Sequence, residues 1–268
     1  MKILKGAGGD RAFRAATISA MALLTLFFVV IIVSLLTFTD WGTMAKALVA
    51  PETLFAIKLS LITATITTVL AIAIAIPVAY AISKNEFWGK SLVDSLLDLP
   101  IVISPVAIGA ALLVFFNTPL GEGINNHILR FVFSVPGIVL AQFTIVSALA
   151  IRLLKSTFYS IDPRFEQVSR TLGCSQPAAF FRVVLPLAKN GLIAAAILTW
   201  ARATGEFGAT VTLAGATAFK TETLPIAISL SLSSANIGQA VALIVILVVI
   251  SLAALLIISK VTGRKYVI

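Results

Sequence analysis

The chain has 268 residues, of which 59% are hydrophobic and only 12% charged, with a formal net charge of +9. Soluble domains carry about 25% charged residues, and together with a mean hydropathy of +1.08 this excludes an ordinary water-facing globule. One cysteine, Cys174, and one histidine, His127, exclude an intrachain disulfide and a Cys/His metal cluster.

A membrane helix needs about 20 mostly apolar residues. In chain order, uncharged stretches of that size predict spans at residues 15–39, 59–83, 99–121 and 131–151. The basic residues before the first (Lys2, Lys5, Arg11, Arg14) look like a leader, but its apolar run exceeds the about 7–15 residues of a cleavable core. It is expected to stay as an anchor. The third span carries Pro100, Pro105 and Gly109, which predict a kink or a break. A fifth span, 190–213, is interrupted by Arg202 and Glu206. The apolar stretch 223–259 is too long for one crossing and is divided at Asn236 and Gly238. Residues 237–259 make the sixth span, and 223–235 are expected at or dipping into the outer boundary. The expectation is an all-α integral membrane protein, one transmembrane domain over residues 1–268.

Lys and Arg collect in cytoplasmic loops. On one side lie Lys2, Lys5, Arg11, Arg14, Lys84, Lys90, Arg152, Lys155, Arg164, Arg170, Arg182, Lys189, Lys260, Arg264 and Lys265. The opposite loops hold Lys46, Arg130 and Lys220. This asymmetry predicts cytoplasmic termini. It also accounts for the net charge as topology, which removes the reason to expect a nucleic-acid partner.

Residues 152–189 are too polar to span and too patterned to be a linker. Asp162-Pro163 is a helix start, with an N-cap side chain and proline at the first helical position. Phe165, Val168 and Leu172 give that helix one apolar face. Gly173 ends it. Ser175 and Pro177 start a second helix, carrying Phe180, Phe181 and Val184, and Leu185-Pro186 is expected to close it. The hairpin could pack on the chain's own spans or dock a partner. A DNA-reading helix-turn-helix is disfavoured, because both ends are tethered to membrane.

The run Glu166-Gln-Val-Ser-Arg-Thr-Leu-Gly173, followed by Phe181 and Leu185-Pro186, resembles the EAA loop of ABC importer permeases. It departs from that pattern at Gln167 and Val168, where the family favours alanine. The resemblance implies a coupling helix that docks on a cytoplasmic ATPase. The expected contacts are Arg164, Phe165, Glu166, Arg170, Gly173, Cys174, Ser175, Gln176 and Pro177. It further implies a homodimer, an ABC ATPase dimer carrying ATP and magnesium, and an extracytoplasmic substrate-binding protein. Gly89-Lys90-Ser91 has the ending of a phosphate-binding loop, but Lys84 stands where the first glycine belongs. No cofactor, metal or covalent catalysis is expected in this chain.

Arg202 and Glu206 are spaced to share a helix face, with Arg202 about 16 Å into a helix starting near Gly191. They are candidates for the transport path or gate, or for an ion pair locking helices. The segment Ala201–Thr210, ARATGEFGAT, resembles the GEFG segment of molybdate and sulfate permeases. That implies an oxyanion, molybdate or tungstate, with sulfate or thiosulfate as the alternative. Pro100, Pro105, Gly205 and Gly208 are the expected helix breaks. The rivals from other classes are an ion-coupled secondary transporter, for which no convincing repeat of halves is visible, and a structural membrane anchor.

Overall fold

The structure is a computed structural model that describes residues 7–38 and 41–261. The tail residues Lys2, Lys5, Arg264 and Lys265 lie outside the described residues. Among the described residues, four helices are long and apolar enough to cross a membrane unbroken, and the number of crossings rises to as many as six if each of two bent helix pairs counts as one span.

The first crossing is α1 (Ala7–Phe38), none of whose apolar window is buried, with its main contact on α14. A short helix, α2 (Trp41–Val49), follows and packs on α14 through Met44 and Ala47. The second crossing, α3 (Pro51–Lys84), starts well before residue 59 and carries Glu52 and Lys58 within it. Charge ends a hydrophobic run but not a helix, and Pro51 supplies an ordinary first-turn start. Pro77 sits inside α3 without ending it.

The third crossing is not one helix. It divides into α4 (Lys90–Val102) and α5 (Pro105–Phe116), whose axes differ by 110°. Pro100, expected as a break, lies inside α4, and the chain turns only at Ile103 and Ser104, both extended. The cause is Pro105, whose ring disfavours helical geometry in the preceding residue. Residues 119–121 leave the span altogether, because Pro119 begins a separate helix, α6 (Pro119–His127).

The fourth crossing, α7 (Val135–Tyr159), runs past residue 151 and carries Arg152 and Lys155 on its last turns. It forms the bundle's most extensive helix pair with α3. Ala64, Ala71, Ala75 and Ala79 on α3 and Ala141, Ala148 and Ala150 on α7 are fully buried or nearly so. Lipid-borne helices gain from such small residues because close approach maximises packing.

Next come α8 (Pro163–Thr171), α9 (Gln176–Ala179), a π-helical turn (Phe180–Val184) and α10 (Leu185–Leu187). Leu185-Pro186 therefore does not close the second helix of the hairpin. The π turn pairs Leu185 N with Phe180 O, and the helical path continues through Pro186 before bending by 71° into α11 (Lys189–Thr204). The bend falls at Ala188, whose ψ of −8° departs from the helical value.

The fifth crossing also breaks: α11 ends at Thr204 and α12 (Gly208–Ala214) resumes after three residues. The apolar segment after it forms α13 (Leu224–Ser233), packed on α14 and α3, with Leu224 N donating to Ser60 Oγ at 2.7 Å. The sixth crossing is α14 (Ile237–Val261).

Candidate functional site

Two places gather the functional side chains foreseen in the sequence. The first is the hairpin α8–α9. Asp162 Oδ1 accepts from Arg164 N at 2.9 Å and starts α8. Gly173, at φ +90°, closes it in a conformation that side chains rarely adopt. Ser175 Oγ accepts from Ala178 N and starts α9.

The apolar residues of α8 do not face the bundle. Phe165, Val168 and Leu172 are 56%, 57% and 80% exposed. Arg164, Arg170, Gly173, Ser175, Gln176 and Pro177 are exposed as well, and Cys174 is partly buried. Glu166, expected among the ATPase contacts, is partly buried and bonded to the bundle: Tyr80 Oη donates to its Oε1 at 2.6 Å. The physical reason is its register, since Glu166 and the buried Ser169 share a face of α8 about 100° around the helix from the centre of the apolar stripe.

Behind Glu166 the rings of Tyr80, Phe158 and Phe180 cluster. Tyr80 lies 4.7 Å from Phe180 and 5.8 Å from Phe158, both edge-on, a favourable aromatic geometry. A groove of about 520 Å³ opens beside them, lined by Ile76, Pro77, Tyr80, Gln176, Pro177 and Phe181 among others. Lys155 of α7 forms an ion pair with Asp94 of α4 at the same end of the bundle.

The second place is the break in the fifth crossing. Arg202 and Glu206 do not share a helix face, because the helix stops at Thr204 and Glu206 stands in the break. The pair nevertheless forms across it, Arg202 Nη1 to Glu206 Oε2 at 2.7 Å. The carboxylate is 1% exposed and the guanidinium-bearing side chain 40% exposed. Glu206 Oε1 also accepts from Ala209 N at 3.1 Å, so the carboxylate holds both sides of the gap. Arg202 keeps donors beyond the one facing Glu206. It can therefore meet an anion without giving up its partner.

The breaks of the third and fifth crossings lie against each other. A Cβ on Gly208 would come within 3.0 Å of Pro105 Cβ and Val106, and one on Gly109 within 2.7 Å of Thr212 Cβ. Glycine at both positions lets α5 and α12 approach more closely than any side chain allows. Pro105 is the first residue of α5, Gly208 the first of α12, and Gly205 the residue after α11.

Sequence reasoning missed Tyr80 and Gln142. Gln142 is 1% exposed and bridges three helices: it accepts from Thr67 Oγ1 at 3.0 Å and donates to Ala203 O at 3.1 Å. Its signal was present, as it is the one amide side chain in the fourth span. Tyr80, the tyrosine in an otherwise aliphatic stretch of the second span, was visible in the same way.

Comparison with known proteins places these features. Residues 68–264 match the profile of the family described as "Binding-protein-dependent transport system inner membrane component". The molybdenum transport system permease protein ModB of Haemophilus influenzae is 38% identical over 175 residues, covering 64% of this chain and 76% of that protein. The molybdate/tungstate transport system permease protein WtpB of Thermococcus kodakarensis is 37% identical over 176 residues, covering 66% of this chain and 67% of that one. Among solved structures, a bacterial ABC transporter involved in the import of the acidic polysaccharide alginate superposes with a TM-score of 0.75 at 16% identity, covering 97% of this chain and 100% of the other. At that identity the likeness is one of fold.

Proposed function

Because the chain belongs to the family of binding-protein-dependent transport system inner membrane components, we propose that it is the membrane-spanning permease of an ATP-driven oxyanion importer, with molybdate or tungstate as cargo. The cargo rests on the names of the relatives at 38% and 37% identity. The observation that carries the mechanism is the exposed stripe Phe165, Val168 and Leu172. Three apolar side chains on a polar hairpin outside the membrane core form the kind of surface a protein partner covers.

In this reading both termini and the hairpin are cytoplasmic, in the inner membrane, and two copies of the chain frame one path. An ABC ATPase dimer binds the two hairpins and holds ATP and magnesium, so this chain catalyses nothing itself. A substrate-binding protein delivers the anion on the opposite face. Nucleotide-driven closure of the ATPases moves the hairpins as rigid bodies. Docking spreads over Arg164, Phe165, Arg170, Gly173, Cys174, Ser175, Gln176 and Pro177, and Arg202 with Glu206 borders the path. The exposed share of Arg202, with donors to spare, supports that placing.

The test is uptake of labelled molybdate into proteoliposomes holding the purified complex, with sulfate as competitor. ATP-dependent molybdate uptake that excess sulfate leaves intact supports the reading. Uptake that a proton gradient drives without any ATPase subunit overturns the class. Preferential uptake of sulfate overturns the cargo.

A further inference from the structure

The chief backbone neighbours of α8 are α9 and the π turn, not a membrane helix. Its direct polar tie to the bundle is the bond from Tyr80 Oη to Glu166 Oε1, at 2.6 Å in the length range of a charge-assisted hydroxyl–carboxylate bond. Tyr80 is itself packed among aromatic rings. Its ring is held edge-on by Phe158 of α7 and Phe180 of the π turn, and it stands one turn from the end of α3. One side chain thus touches α7, α8 and the segment leading to α11 while belonging to α3.

We propose that Tyr80 is a positioning residue for energy coupling: it fastens α8 to α3, so that force on the exposed stripe moves the membrane helices instead of swinging the hairpin alone. The proposal rests on the docking role given above to the hairpin, and it assigns Glu166 an internal task. The contact with the ATPase then falls to the outward face of α8, and the carboxylate serves as the anchor point behind it.

Two substitutions separate the internal role from a contact with the partner. Tyr80→Phe removes the donor and keeps the ring in its cluster. Glu166→Gln keeps an oxygen that can accept from the phenol. Wild type, both single variants and the double variant are reconstituted with the ATPase and binding protein. ATP hydrolysed per anion imported is then measured beside the amount of ATPase that co-purifies. Tyr80→Phe is expected to retain the ATPase and to raise the ATP cost per anion about fivefold or more, the scale of one lost hydrogen bond. Glu166→Gln, which keeps an acceptor but loses its charge, falls between wild type and Tyr80→Phe, and the double variant is no worse than Tyr80→Phe. Spin labels on Cys174 and on Lys84→Cys give a second readout on the permease alone. The distance distribution is narrow in wild type and broad in Tyr80→Phe, with Glu166→Gln between them.

Unchanged coupling in Tyr80→Phe overturns the proposal. So does loss of the ATPase on Glu166→Gln while Tyr80→Phe keeps it, because the carboxylate would then meet the partner. If no ATPase accompanies even the wild-type chain, the docking reading fails on its own. The spin-label distance still decides the fastening, and an unchanged distribution in Tyr80→Phe refutes it.

Discussion

The side-chain amide of Gln142 donates to the carbonyl of Ala203 at 3.1 Å, so the middle of α7 holds α11 just before its helix ends. The same amide accepts from Thr67 of α3. Three crossings are thereby joined at one buried point, where no water competes for the bonds.

Replacing Gln142 by Leu keeps most of the volume and removes every one of these bonds. Interhelical hydrogen bonds in membranes are worth about 0.6–2 kcal/mol, and two are lost at once, although Thr67 keeps Val139 O and Ala203 O keeps Glu206 N. The purified permease is expected to unfold several degrees lower, while Gln142→Glu, which also loses the donor to Ala203 and buries an ionisable carboxyl, loses at least as much. Thermal unfolding of both variants in the same detergent checks the order, and a Leu variant as stable as wild type contradicts it.

Arg202 and Glu206 make a pair that one substitution should damage more than two. Glu206 is buried and also braces Ala209 N, so Arg202→Gln leaves a carboxylate without its countercharge in a low-dielectric site. The double variant Arg202→Gln/Glu206→Gln removes both charges. A double-mutant cycle on thermal stability should give a coupling of about 0.5–3 kcal/mol. Additive effects would mean that the pair does not act as one unit.

Gly109→Ala places a methyl 2.9 Å from the backbone of Ala209 and 2.7 Å from Thr212 Cβ. Backbone atoms in a packed helix cannot step aside, and overpacking of this kind costs about 1–3 kcal/mol. Gly123→Ala in α6 is the matched control, since its Cβ meets nothing within 4 Å. Expression and thermal stability should fall for Gly109→Ala and hold or rise for Gly123→Ala. Equal behaviour of the two would refute the close approach of α5 and α12.

Phe165→Ser, Val168→Ser and Leu172→Ser alter exposed positions of α8. Surface substitutions away from packed features shift stability by less than about 0.5 kcal/mol, so the folded permease should be unaffected. Association with the ATPase should fall at least tenfold for the triple variant, as read by co-purification and by titration in detergent. Full association would move the docking surface elsewhere.

Much of this architecture is legible in the sequence because lipid is a demanding solvent. Long uncharged runs such as 59–83 and 131–151 have few folds open to them, and Asp162-Pro163 and Gly173 carry local start and stop chemistry. Where the reading fell short, the cause was geometric. Charge at Lys58 and Arg152 ended the apolar runs, yet backbone hydrogen bonding carried the helices onward. Pro100 and Pro105 are alike in composition, and only their positions relative to the helix end decide that Pro105 marks the turn. Phe165, Val168 and Leu172 declare an apolar face but not the direction in which it points. Tyr80 and Glu166 are 86 positions apart, and nothing in local spacing brings them together.

The interlock between Pro105–Gly109 and Gly208–Thr212 removes a freedom that two separate helix breaks would otherwise grant. With Gly208 seated on Pro105 and Gly109 on Ala209, a slide or roll of either half-helix would press its backbone against the other. The two helix breaks thus share one packed contact, and α5 and α12 meet there as a single wedge.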